Sequence, residues 1–235
     1  PVAAAARPAV ELLPSSSRKV SLDYRLKRFV RAADRPPLER HQGWKEIFSD
    51  AARAELLLPE RRGAGHPLDG HRARYAETAG SEPLARLQDV DTVTYLVDDL
   101  LVKTDRASMA HSLEVRVPFL DPAVAGLALA LPTAAKVRGL RKKRLLRRAV
   151  RGLVPASVAY GRKQGFSIPA AAWLRGELVP FAREALSPEA IGRQGYLRPD
   201  AVTRVLDDHV EGREDLSRQL WGLMSLSLWL ESRRA

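Results

Sequence analysis

Residues 95–121, from Tyr95 to Asp121, read YLVDDLLVKTDRASMAHSLEVRVPFLD and set charged residues among leucines and valines in one block. Asp98, Asp99, Lys103, Asp105 and Arg106 follow helical spacing, with Asp99 and Lys103 at the separation where opposite charges pair along a helix. Glu114 and Arg116 alternate with Val115 and Val117, so an extended segment would project both charges from one face and pack the valines on the other. Valines and leucines so placed call for burial, and charges carried in with them must be paired or put to use. Two blander readings stand beside this one. The ladder can be a set of surface helix pairs worth roughly a few tenths of a kcal/mol each, and Glu114 with Arg116 a structural ion pair.

Outward from the block, the chain reads as helical throughout, and no strand-like alternation is evident. Upstream, VSLDYRLKRFVRAA (20–33) places Leu22, Leu26, Phe29 and Val30 at helical spacing, and Pro36-Pro37 stops it. A short second helix is expected around His41 to Ser49, a flexible loop over Glu60 to Gly70, and helical apolar spacing again over Glu82 to Val102. Downstream, Asp121-Pro122 is an N-cap followed by Pro at the first helical position, opening an Ala-rich helix to Leu131 that should be buried on most sides. Arg141 to Leu153 forms an amphipathic basic helix, closed by Gly152 and Pro155. A loop from Ala159 to Pro169 leads to a helix from Ala170 through Trp173, Pro188 to Gly195 is a break, and a last helix runs from Asp215 to Ser232.

At 235 residues, 45% hydrophobic and 29% charged, the chain can bury a sizeable core, and no apolar run reaches the roughly 18 residues that a bilayer span requires. Three prolines break the apolar start PVAAAARPAVELLP, which lacks a basic leader and an initiator Met; it is not read as a signal peptide, and the chain is expected to be a piece of something longer. Zero Cys excludes disulfides and thiolate metal sites, and the five His show no ligand spacing, so no metal site is expected.

The net charge of +11 is localised. Lys136 to Lys163 holds eleven Lys and Arg and no acid; of the 39 bases in the chain, 28 remain elsewhere against 28 acids. An anionic ligand is therefore expected on that stretch. Nucleic acid is not the expected anion, because Arg138 to Arg151 lacks aromatic or amide side chains to stack on or read bases. Lys163 lies between Gly161 and Gly165, which allow close backbone approach, and its ammonium suits a phosphate oxygen; the alternative is an ordinary solvated lysine.

The strings DDLLVKTDRASMAHSLEVRVPFLD, KVRGLRKKRLLRRAVRGLVP, RKQGFSIP, WLRGEL and QLWGLMSLSLWLE, in this order, resemble the glutamine-dependent asparagine synthetase family. The resemblance is to the C-terminal half of its synthetase domain, strong from about Thr92 to Trp229 and weak before that. It implies a mainly α fold: the helical C-terminal portion of an α/β pyrophosphate-loop (adenine nucleotide alpha hydrolase-like) synthetase domain, with the parallel sheet upstream. It also implies one incomplete synthetase domain over 1–235, with a variable helical part (1–90) and a motif-bearing helical part (91–235).

In that family ATP, with Mg²⁺, activates the aspartate side-chain carboxylate as an acyl-adenylate, and ammonia from a separate glutaminase domain attacks it. Lys163 matches the family's phosphate-side lysine and is the expected catalytic residue. Lys103, Asp105, Arg106, Glu114 and Arg116 match motif positions that shape the substrate site or serve structure. The family's SGGxDS loop, its GDGGDE-like segment and its N-terminal Cys are absent from these residues, so the ATP loop is expected upstream of Pro1 and the chain by itself is not expected to make asparagine. Expected partners are aspartate, ATP, glutamine-derived ammonia, the glutaminase domain and the sheet, with a possible homodimer, a cytoplasmic location and no membrane partner. Two alternatives stay open: a related ligase that closes β-lactams or macrocycles, and a stand-alone basic helical module for nucleic acid or an acidic protein.

Overall fold

Helices dominate the described residues. The computed structural model describes residues 8–10, 12, 26, 27, 29, 30, 33–63, 65–161 and 168–233. In chain order its helices are α1 (Pro37–Gly43), α2 (Asp50–Leu56), α3 (Asp69–Glu77), α4 (Pro83–Asp91), α5 (Val102–Met109), α6 (Pro122–Ala130) and α7 (Thr133–Lys136). They continue with α8 (Arg144–Ala149), α9 (Ala156–Tyr160), α10 (Ala170–Trp173), α11 (Val179–Ala185), α12 (Pro188–Gln194), α13 (Pro199–Val210) and α14 (Ser217–Ser232). A π-helical stretch, Thr92–Leu101, joins α4 to α5. The fold is mainly α as expected, and the described residues hold isolated bridges but no strand. No helix among them is long and apolar enough to cross a membrane.

The chain divides into two compact units, residues 1–66 with 167–235, and residues 67–166. The division at 90/91 drawn from motif content is of another kind and falls inside the second unit, within α4.

The first unit holds the hydrophobic core. Leu56, Leu174, Ala182, Leu186, Ile191, Leu197, Ala201, Val202, Leu206, Leu220, Leu223 and Met224 form one buried cluster, drawn mainly from α11 to α14. The segment after α2 is pinned alongside the one before α13 by an antiparallel bridge, with Leu58 N donating to the Tyr196 carbonyl (3.0 Å) and Arg198 N to the Leu56 carbonyl (2.8 Å). Pro188 to Gly195, expected as a break, is a helix instead. Ser187 caps it through Oγ, Pro188 enters at the first turn where its missing N–H is no loss, and Gly195 ends it at φ +70°. Pro37 likewise opens α1 rather than only stopping what precedes it. The helix expected over 20–33 lies largely outside the described residues.

In the second unit Val90 is the one buried residue among those described. Arg74 joins α3 to α4 by forking onto Asp89 (2.6 and 2.7 Å), and Arg86 lies over the Tyr75 ring at 3.6 Å. Asp121 caps α6 as its sequence predicts, accepting from Ala123 N (2.9 Å) and Val124 N (3.3 Å). The expected burial of that helix is not found: Val124, Leu127 and Leu129 are all exposed. Apolar composition alone does not bury a helix; it requires a facing layer, and the described residues of this unit supply little of one. The basic helix is also shorter than expected. Turns at Arg138–Arg141 and Arg151–Val154, each with a Gly at positive φ, and Lys143 at φ +55°, confine it to Arg144–Ala149.

Candidate functional site

The motif block lies in the second unit, and its part up to Met109 belongs to a continuous helical rod, 83–109, whose middle is π-helical. The local sequence accounts for the widening. Thr92 and Thr94 donate their hydroxyls to the carbonyls four residues back, Gln88 and Val90 (2.7 Å each), competing with the amides that an α-helix would send there. β-branched Thr92, Val93, Thr94 and Val97 add crowding that disfavours α geometry, and Val102 N still reaches the Val97 carbonyl at the far end of the stretch. Such π segments are frequent at functional sites.

Two tethers fix the rod against the segment that follows α6. Thr133 donates to the Glu82 carboxylate through its hydroxyl and through its amide (3.3 Å). Those donors hold the Glu82 carboxyl below its ordinary value. Lys136 donates from Nζ to Gln88 Oε1 (3.1 Å) and to the Leu129 carbonyl (3.2 Å). Between the tethered parts lies a shallow cleft of about 280 Å³, lined by Gln88, Asp91, Thr92, Tyr95 and Leu96 from the rod and by Ala128 and Leu129 from α6.

The expected site residues are on the surface. Lys103 pairs with Asp99 at 3.1 Å, as their spacing predicts, and Asp105 and Arg106 are exposed one turn on. Glu114 and Arg116 pair at 3.0 Å, but with side chains 70% and 83% exposed. The burial expected for the block is therefore not found: none of 95–121 is buried, and the charges need no partner to avoid a desolvation cost. Their pairing takes the blander form, an exposed ion pair of small energetic weight. Lys163 lies outside the described residues, as does the rest of 162–167.

The basic stretch from Arg138 to Arg151 is exposed or half-buried, and no ion pair forms on it among the described residues. Arg144 instead donates to the Ala134 carbonyl. It remains an uncompensated positive surface, suited to an anion. The cleft residues Asp91, Thr92 and Tyr95 and the tether Lys136–Gln88 were not singled out by the sequence. The β-branched run ahead of Asp98 was the available signal, because it marks where α geometry fails. No group of three or more His, Asp or Glu able to hold a metal ion occurs among the described residues.

A family model for Asparagine synthase matches residues 3–231. A putative glutamine-hydrolysing asparagine synthetase of Mycobacterium tuberculosis is 42% identical over 192 residues, covering 81% of this chain and 29% of that protein. Glutamine-hydrolysing asparagine synthetase 1 of Bacillus subtilis is 31% identical over 194 residues, 83% of this chain and 30% of that protein. The human asparagine synthetase is 34% identical over 101 residues, 41% of this chain and 17% of that protein. The chain thus spans about 29% of the length of the first of these relatives. No solved structure matches it.

Proposed function

This chain belongs to the asparagine synthase family, and on that premise we propose that it supplies the helical wall of a site where ATP activates the aspartate side-chain carboxylate for amidation. One carboxylate oxygen attacks the α-phosphorus of ATP, the bond to the bridging oxygen breaks, and pyrophosphate leaves. Ammonia derived from glutamine then attacks the acyl carbon and AMP departs with the carbon–oxygen electron pair. Negative charge develops on the leaving pyrophosphate, and a cation held there lowers the barrier. Lys163 is assigned that role.

Lys103, Asp105, Arg106, Glu114 and Arg116 shape the carboxylate side of the site in this reading, with charges exposed on the surface. The observation that carries it is the family match across residues 3–231, which includes the loop Arg162-Lys163-Gln164-Gly165-Phe166. Mg²⁺ would arrive on the phosphates of ATP, and no step is assigned to it. The glutaminase domain and the nucleotide-binding loop belong to the longer polypeptide that this reading implies, which would work in the cytoplasm.

The test is ATP–pyrophosphate exchange by the polypeptide that carries this chain. Exchange that depends on aspartate supports the proposal. Exchange driven by another carboxylate, or by none, would move the chain to a different ligase or out of catalysis.

A further inference from the structure

The tetrapeptide Val-Arg-Gly-Leu occurs twice in the second unit, at 137–140 and at 150–153, on either side of α8. Both copies fold alike. Arg138 bridges Arg141 through paired backbone hydrogen bonds (3.0 and 3.1 Å), Arg151 bridges Val154, and each turn holds its glycine at positive φ, +56° at Gly139 and +82° at Gly152. A left-handed glycine lets the chain reverse within two residues, and the reversal leaves a leucine at each tip. Leu140 is 98% exposed and Leu153 80%. The helix between them is only about 9 Å long, so the two tips stand at the ends of one short platform.

That platform is basic. Arg138, Arg141, Lys142, Lys143, Arg148 and Arg151 are exposed, and from Arg138 to Arg151 there is no acid and, among the described residues, no ion pair. Apolar side chains at turn tips and unpaired like charges crowded beside them are both unfavourable in water. One environment relieves both: negative headgroups over an apolar layer. A small phosphate ligand would engage the bases and leave the leucines in water, and a nucleic-acid backbone would do the same.

We propose that the twin turns and α8 form a peripheral docking surface for an anionic lipid bilayer, with the bases on the headgroups and Leu140 and Leu153 inserted between them. The family resemblance implied no membrane partner, and no helix among the described residues is long and apolar enough to span a bilayer; a peripheral contact needs none. Docking of this kind does not depend on the reaction proposed above.

Co-flotation of the whole polypeptide with lipid vesicles tests it. The polypeptide should float with vesicles of phosphatidylcholine and phosphatidylglycerol and not with phosphatidylcholine alone, and the bound fraction should fall as salt rises. Lys142→Gln with Arg148→Gln should weaken partitioning about fivefold for each base removed. Leu140→Ser with Leu153→Ser should weaken it by about tenfold or more with the charge unchanged. Positions this exposed leave folding intact, which far-UV circular dichroism of each variant checks. In Leu140→Trp, brominated lipid should quench emission beyond the quenching seen in wild type. Absence of flotation with anionic vesicles, or equal flotation with neutral ones, overturns the docking surface. Flotation indifferent to the leucine pair, with Leu140→Trp unquenched, overturns insertion; soluble poly-glutamate or duplex DNA then bound as strongly as the vesicles would assign the surface to an acidic protein or to nucleic acid instead.

Discussion

Ile191 should be among the most costly single truncations in the chain. It sits on α12 with no exposed surface, inside the cluster that also holds Val202 and Leu206 from α13 and Leu220 and Leu223 from α14. Ile191→Ala removes three carbons, worth about 2.4 kcal/mol at roughly 0.8 kcal/mol for each. The surrounding helices cannot close fully on the void, and the cavity left behind brings the expected loss to about 3–5 kcal/mol, within the range for Ile→Ala in a packed core. Against a typical domain stability of about 5–15 kcal/mol, that is a large share. Tryptophan fluorescence in urea is the assay, because all four Trp residues, Trp44, Trp173, Trp221 and Trp229, lie in the first unit and report on it alone. A midpoint shift equivalent to less than about 1 kcal/mol would show that the cluster is not packed as a core, and the argument from it would fail.

Arg116→Ala should leave stability within about 0.5 kcal/mol of wild type, since its pair with Glu114 is exposed; urea denaturation followed by far-UV circular dichroism measures it, and any larger loss contradicts the exposed geometry. A fall in exchange activity in that variant, with stability unchanged, would then report contact with substrate. Glu82 gives a pH test. Its carboxyl is lowered by the Thr133 hydroxyl, so the tether is present above the ordinary value of 4.5 and is lost as pH falls through the lower, folded value. Protection of the Thr133 amide should follow that course and lose its pH dependence in Glu82→Gln; an unchanged profile in the variant would assign the titration elsewhere.

What the sequence made legible was local chemistry. Asp121 followed by Pro122 specified a helix start through a side-chain cap and a proline that lacks an amide, and both act within one turn. The last helix was legible for the same reason, its apolar stripes being broad. Pro188 and Gly195 were misread as a break because each also serves at a helix end, and only Ser187 at the cap distinguishes the two uses. α13 was missed although Pro199 opens it: Val202, Leu206 and His209 make its buried face, and a buried histidine does not register as apolar.

Burial was the least legible property, because it depends on what faces a segment. The valines around Glu114 and Arg116 and the leucines of α6 have core composition yet lie exposed. Of the candidate site, the motif positions came from the family resemblance and the Asp99–Lys103 pair from spacing. The cleft and its tethers came from neither, since Glu82 and Thr133, and Gln88 and Lys136, are distant in sequence.

The role proposed for Lys163 is on the phosphate side of aspartate adenylation. The direct measurement is aspartate-dependent ATP–pyrophosphate exchange by the polypeptide carrying this chain, with Lys163 and with Lys163→Ala, alongside glutamine hydrolysis. Exchange should be abolished in the variant and glutamine hydrolysis retained. Exchange at the wild-type rate in Lys163→Ala would contradict it.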